Sequence, residues 1–302
     1  MASGIDTLKS MMRARAAERA EASSIEEMRR QMAQATAGFT VPADVAVTAT
    51  DLGGVTGLRF TPAKAADGAV LLYFHGGGYV LGSAETHRAL VANLASLAGI
   101  EAVSLDYRLA PEHPCPAAVE DGVAAYRALL NHGRTPQSII LGGDSAGGGL
   151  AVSTLVQARA QGLAMPAGAI LLSPWVNLGN GGWSYEGRAE ADPMVTRAGL
   201  DNMAQLYLVQ RPANDPVASP LRADLSGLPP LLIQVGGDEI LLSDSVTLAE
   251  RAGAAGVSAT LEVWPEMIHV FQAFADFLGD AKCAQAALAA WARTRLGLDA
   301  AR

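Results

Sequence analysis

The chain has 302 residues, 50% of them hydrophobic, and a formal net charge of −8, so it can bury a large core as one α/β domain or a domain plus a small accessory piece. The acidic balance argues against a nucleic-acid partner, because no basic stripe is present to neutralise phosphates. The opening Met1-Ala2-Ser3-Gly4-Ile5-Asp6 lacks a basic stretch followed by an apolar one, and no apolar run approaches about 18 residues, so the expectation is a cytoplasmic protein with no stable membrane association. Cys115 and Cys283 are too few for a disulfide framework and neither lies in a CxxC, which predicts free thiols.

In chain order, residues 4–37 are rich in Ala, Met, Arg and Glu and contain no proline, predicting one or two amphipathic helices before any strand. Met11, Met12, Met28 and Met32 are read there as packing residues. Apolar runs near 45–49, 57–61, 69–74, 100–105, 138–142, 168–172, 231–235 and 259–263 then alternate with helical stretches. That is the pattern of a mostly parallel sheet covered by helices on both faces. Residues 180–214 interrupt the alternation: Gly179-Asn180-Gly181-Gly182 is a flexible entry, and Leu200 to Val209 carries a helical apolar pattern with no strand beside it. Tyr79, Trp175 and Trp183 could wall a pocket, but ordinary core packing accounts for such aromatics as well.

Chemistry concentrates at two glycine-rich strand ends. Ser145 is the centre of Gly143-Asp144-Ser145-Ala146-Gly147, after the apolar run 138–141 and before a helix-forming stretch, which is the strand-turn-helix of a nucleophile elbow. The flanking glycines let strand and helix cross closely around a strained serine. The run Val70 to Phe74 leads into His75-Gly76-Gly77-Gly78, a pattern whose backbone N–H groups can stabilise an oxyanion together with the N–H of the residue after the nucleophile, here Ala146. A phosphate loop fits poorly, since no Gly-Lys-Ser/Thr follows and Leu81 stands where a dinucleotide fingerprint needs glycine.

An elbow of this kind has its acid and then its histidine later in the chain. Of His75, His87, His113, His132 and His269, only His269 follows Ser145. The acid should leave the C-terminal end of a strand, and Leu231 to Val235 is followed at once by Gly236-Gly237-Asp238. Asp238 is the choice on that ground, with Glu239 and Asp244 as competitors that could equally serve a helix first turn. Asp192, in Ala191-Asp192-Pro193, has no strand before it and reads as a turn or helix-start residue. No HExxH or Cys/His cluster at ligand spacing is present, so no metal and no cofactor is expected.

Together these blocks resemble the hormone-sensitive-lipase family of microbial esterases, within the α/β-hydrolase superfamily. HGGGYVLGS at 75–83, DYRLAPEHPCPA at 106–117, GGDSAGG at 142–148, SPW at 173–175, GDEILLSDS at 237–245 and HVFQ at 269–272 match the family's blocks in order. The resemblance implies an α/β-hydrolase fold with a central, mostly parallel sheet and a small helical cap. Residues 1–45 and 180–214 would form the cap and 46–302 the catalytic domain. It also implies a triad of Ser145, Asp238 and His269, oxyanion donors at Gly77, Gly78 and Ala146, and a homodimer. The chain departs from the family at Cys115, where an aromatic often stands between prolines, and at Asn177, where an acid often follows Ser-Pro-Trp.

The function expected is a serine carboxylesterase acting on short-to-medium acyl esters through an acyl-enzyme, its partner a small-molecule ester. A lactone hydrolase or a deacetylase would use the same triad, because pocket shape decides among them. A receptor-like binding relative lacking the triad histidine is a third reading, against which His269 stands.

Overall fold

The computed structural model describes residues 4–20 and 24–299. First among the described residues come α1 (Gly4–Ala20) and α2 (Ile25–Thr36), two helices where one or two were expected before any strand. There follow β1 (Val45–Leu52), β2 (Val55–Pro62), β3 (Val70–Phe74), α3 (Arg88–Ala98), β4 (Glu101–Leu105), α4 (Ala117–Asn131), β5 (Ile139–Asp144), α5 (Ala146–Ala160) and β6 (Gly168–Leu172). After the interruption, in which α6 (Ser184–Gly187) and α7 (Arg197–Leu208) lie, come β7 (Leu231–Gly236), α8 (Leu242–Ala254), β8 (Ala259–Trp264) and α9 (Gly279–Arg295).

The strands form one sheet in the order β1-β2-β4-β3-β5-β6-β7-β8. β2 pairs antiparallel with β1 and β4, and every other pairing is parallel. Successive strand residues face opposite sides, so both faces must be covered where a strand is apolar throughout. Leu72, Phe74, Leu141, Leu171 and Ile233 accordingly join a core with Tyr126 of α4, Leu150 of α5 and Leu248 of α8. Their neighbours Leu71, Tyr73, Ile140, Ile170 and Leu232 pack on the other face against Leu90 and Leu94 of α3 and Leu288 of α9.

The helices outside this alternation sit over the loops at the C-terminal strand ends. Leu8 and Met12 of α1 are buried with Ile268, Phe271, Phe274 and Leu278, while Met28 and Met32 of α2 pack against the larger core and Met11 is exposed. Arg29 of α2 donates through Nε to the Val80 carbonyl at 2.9 Å and through Nη2 to that of Ala110 at 3.0 Å. No helix among the described residues is long and apolar enough to cross a membrane. Both cysteines are free, Cys115 buried and Cys283 exposed. Tyr79 and Trp175 are core residues, Tyr79 stacked on Tyr207 with centroids 3.9 Å apart, whereas Trp183 is exposed.

Candidate active site

Parallel pairing of β3 with β5 sets Phe74 beside Gly143 and brings the two glycine-rich strand ends together. Ser145 turns sharply between β5 and α5, with φ 54° and ψ −123°, a region that a non-glycine residue enters only under strain. Its N–H is held by the Leu172 carbonyl at 2.8 Å, and its own carbonyl accepts the N–H of Trp175 at 2.9 Å and of Gly149 at 3.1 Å. The crossing is close: a Cβ on Gly147 would collide with the carbonyl oxygens of Phe74 and His75, and one on Gly143 with that of Gly147. The sequence signature therefore meets a steric need.

The other strand end supplies donors. Gly77 and Gly78 adopt φ of 118° and 65°, values that suit glycine. Among the described residues no acceptor takes the N–H of either, and the N–H of Ala146 opens α5 without an intrahelical partner. These three free donors lie on the two strand ends that flank Ser145, an arrangement suited to an oxyanion.

His269 follows β8 on a loop pinned to the strand ends beside it. Its Nδ1 lies 2.7 Å from Oε2 of Glu239, which leaves Nε2 as the other ring nitrogen. Glu239 is fully buried, and its Oε1 accepts the Ser173 hydroxyl at 2.7 Å and the Gly236 N–H at 2.6 Å. Ser173 Oγ in turn accepts the N–H of Val270 at 3.1 Å, so one hydroxyl ties the acid to the histidine loop. Burial disfavours a charged His269, but the charge and hydrogen bond of Glu239 outweigh it, with Asp192 and Asp144 adding in the same direction, and its pKa lies above the ordinary 6.5.

The expectation that Asp238 partners His269 is corrected here. Asp238 sits one residue earlier on the turn, where its N–H bonds the Met267 carbonyl at 3.0 Å and its carboxylate faces Lys9 of α1 at 2.7 Å. Glu239 occupies the place beside the imidazole. Asp244, the other competitor, accepts the N–H of Val176 and Asn177 and the Tyr185 hydroxyl, and burial pushes its pKa up to about 7. It fastens the segment after β6, and Asn177 takes part there through its backbone and through a bond from Nδ2 to the Gly181 carbonyl.

Three residues of the site, Ser173, Asp144 and His87, carry no local sequence signal for their roles. Ser173 lies in a matched block, yet nothing local reveals that it bridges Glu239 and the His269 loop. Asp144 accepts the Tyr73 hydroxyl at 2.8 Å and the Gly76 N–H at 3.1 Å, and faces His87 Nε2 at 3.2 Å. Burial alone would lower the His87 pKa, but the Asp144 charge and hydrogen bond raise it above 6.5, while burial and the charge on His87 push His75 down to about 3. His75 stacks on Tyr107 with centroids 4.3 Å apart, and the Tyr107 hydroxyl donates to the His75 carbonyl at 2.7 Å, which steadies the start of the glycine loop. No group of three or more His, Cys, Asp or Glu among the described residues could hold a metal ion.

An elbow serine, free backbone donors and a carboxylate-oriented histidine on an eight-stranded sheet define an α/β-hydrolase, and the profile of the α/β-hydrolase fold matches residues 71–273. The chain is 46% identical over 231 residues to an acetyl-hydrolase of Streptomyces hygroscopicus, covering 76% of this chain and 77% of that protein. It is 39% identical over 249 residues to an esterase of Acinetobacter venetianus, covering 82% of each. A crystal structure of an esterase from the bacterial hormone-sensitive lipase family superposes with a TM-score of 0.94 at 44% identity, covering 98% of this chain and all (100%) of that one. The crystal structure of EstE5 soaked with p-nitrophenyl butyrate gives the same TM-score of 0.94, identity of 44% and coverage of 98% and 100%. The chain belongs to the hormone-sensitive-lipase family of esterases within the α/β-hydrolases, and it is a carboxylic ester hydrolase.

Proposed function

We propose that the protein is a serine carboxylesterase for short-to-medium acyl esters, working through Ser145, His269 and Glu239. The observation that carries the reading is the 2.7 Å contact between His269 Nδ1 and the buried Glu239 carboxylate. A carboxylate only accepts, so Nδ1 carries the proton and Nε2 presents its lone pair. Ser145 Oγ attacks the ester carbonyl carbon as Nε2 takes its proton, and the resulting oxyanion is bound by the N–H groups of Gly77, Gly78 and Ala146. Collapse expels the alcohol, which receives the proton from Nε2. Water then attacks the acyl-enzyme with the same nitrogen as base, releasing the carboxylic acid and restoring Ser145. Glu239 holds the tautomer and stabilises the imidazolium formed in each half-reaction.

The helices α1, α2, α6 and α7 make up the cap in this reading, supported by the contacts of α1 on the His269 loop, of α2 and α7 on the loop after β3, and of α6 on the turn after β7. The butyrate ester soaked into EstE5 and the acetyl-hydrolase relative support a small acyl group. The second of these also favours removal of acetyl groups as an alternative use of the same site. Initial rates on p-nitrophenyl esters from acetyl to palmitoyl, with Ser145→Ala alongside, test the reading. Rates that peak at short chains and vanish in the variant are expected; a variant retaining the wild-type rate would remove Ser145 from the mechanism.

A further inference from the structure

We propose that Asp192 is a positioning residue for the Glu239–His269 pair, acting on the turn that carries Glu239 and on the charge that forms at His269; this rests on the triad proposed above. Asp192 lies between α6 and α7, in the segment that departs from the strand-helix alternation. One oxygen does what a turn aspartate ordinarily does, since Oδ1 accepts the N–H groups of Met194 and Val195, both at 2.9 Å. The other oxygen does something local geometry does not require. Oδ2 reaches across 48 positions of sequence to accept the N–H of Ile240 at 2.9 Å, and Ile240 directly follows Glu239. The residue is 7% exposed, so a carboxylate has been carried into the interior to hold that one peptide.

A buried carboxylate is costly unless hydrogen bonds and a countercharge offset the loss of water. Three N–H groups supply the bonds. The countercharge is the imidazolium of His269, with which Asp192 interacts favourably in both directions. Burial leaves the Asp192 pKa above its usual 3.8, with His269 the largest of the influences pulling it back. The ionisable groups that bear on His269 are Glu239 on the turn after β7, Asp192 before α7 and Asp144 at the end of β5. Asp238, on the same turn as Glu239, is paired with Lys9. Asp192 thus joins the cap segment to the acid of the site, and it supplies a second negative charge to the base at the moment the base becomes positive.

The test is the pH dependence of kcat/KM for p-nitrophenyl butyrate in wild type, Asp192→Asn and Asp192→Ala, with Glu239→Gln in parallel and thermal melting as a check on folding. Asparagine removes the charge and keeps a single oxygen, which serves either Ile240 or the Met194 and Val195 N–H groups while its amide nitrogen faces the donors on the other side. The acidic limb of this variant, which reports loss of the His269 proton in the free enzyme, should move to lower pH by roughly half a unit or more, because the imidazolium has lost a negative neighbour. Alanine removes the bond as well, and kcat should fall about tenfold or more with KM changed less than threefold, the mark of a misplaced base rather than lost substrate contacts. An unmoved acidic limb in a folded Asp192→Asn protein, with kcat of Asp192→Ala within twofold of wild type, would reduce Asp192 to a cap on Met194 and Val195 and overturn the proposal. Wild-type turnover in Glu239→Gln would overturn the triad itself, a separate outcome.

Discussion

Asp144 Oδ1 accepts the N–H of Gly76 at 3.1 Å, so the residue before the candidate nucleophile is tied to the residue before the candidate oxyanion glycines. The fit leaves no slack, since a Cβ on Gly76 would collide with Asp144 Oδ2. The same carboxylate faces His87 Nε2 at 3.2 Å, and both side chains are almost fully buried. The Asp144 pKa is lowered from 3.8 because His87 and the hydrogen bonds of His87 and Tyr73 outweigh burial. One buried carboxylate, bonded to Gly76 and facing His87, therefore spans the two halves of the site.

That pairing predicts a pH window for stability. His87 has a folded pKa raised above 6.5, so its contribution is fully present below 6.5 and is lost as pH rises through the raised value. Asp144 has a lowered folded pKa, so its contribution is present above 3.8 and is lost as pH falls through the lowered value. Asp144→Asn should consequently be destabilised by about 3 kcal/mol near pH 5.5, the usual cost of breaking a buried pair, and by clearly less near pH 9. Urea unfolding of both proteins at the two pH values checks this. A gap that does not narrow with rising pH would mean that the Tyr73 and Gly76 bonds, rather than the charge on His87, make Asp144 valuable.

The two carboxylates that follow β7 should separate cleanly by mutation. Glu239→Gln keeps the shape but replaces an acceptor-only group, so the histidine tautomer is no longer enforced. A fall in kcat on the order of a thousandfold or more is expected, by analogy with amide replacements of triad carboxylates. Asp238→Asn should stay within about threefold of wild type, because its carboxylate meets Lys9 and not the imidazole. Steady-state kinetics on p-nitrophenyl butyrate decides, and the reverse order of damage would return the acid's role to Asp238.

Lys9 and Asp238 make a partly exposed pair, with side-chain exposures of 15% and 26%, between α1 and the turn that carries Glu239. Water and salt screen such a contact, so Lys9→Ala should cost only about 0.5–1 kcal/mol. In a protein of this size that lowers Tm by roughly 1–3 °C. The difference from wild type should shrink in 0.5 M NaCl, whereas a deficit that persists in salt would point to the packing of the lysine stem. Leu8 and Met12, buried against Ile268 and Phe271, carry more of the attachment, and Leu8→Ala should cost about 2–4 kcal/mol.

The sheet was legible because its strands are short apolar runs ended by glycine or a polar turn, and each of the eight expected runs overlaps one of β1 to β8. Ser145 and the paired glycine ends were legible because their chemistry lies in adjacent residues. The acid was not. At the end of β7 the period-2 pattern stops, and nothing in Gly237-Asp238-Glu239 tells which carboxylate turns inward; contacts from β6 and from the histidine loop decide it. Asp192 shows the same limit in another form. Its reading as a turn residue holds for Met194 and Val195, but its reach to Ile240 depends on how the segment after β6 folds back. His87 precedes Ser145 in the chain, and its partner Asp144 lies 57 positions away, beyond any local pattern.

Met203 of α7 bears directly on the glycine loop after β3. A Cβ on Gly78 would run into Met203 Sδ, with Cγ at 3.0 Å and Cβ at 3.2 Å, and Gly78 has φ 65°. Two separate costs therefore fall on Gly78→Ala: a left-handed backbone for alanine, about 1 kcal/mol, and a collision with the helix above. If the collision displaces the Gly78 N–H, kcat should fall about a hundredfold, as for a lost oxyanion donor. Adding Met203→Ala removes Sδ and Cγ, leaving only the Cβ contact at 3.2 Å and the backbone cost, so the double variant should recover at least about tenfold of the lost rate. A double-mutant cycle on kcat with p-nitrophenyl butyrate reads the coupling directly. Strong recovery would show that α7 and the glycine loop are fitted to each other through this one contact, while additive losses would place the damage in the backbone of Gly78 and leave Met203 as a wall of the pocket only.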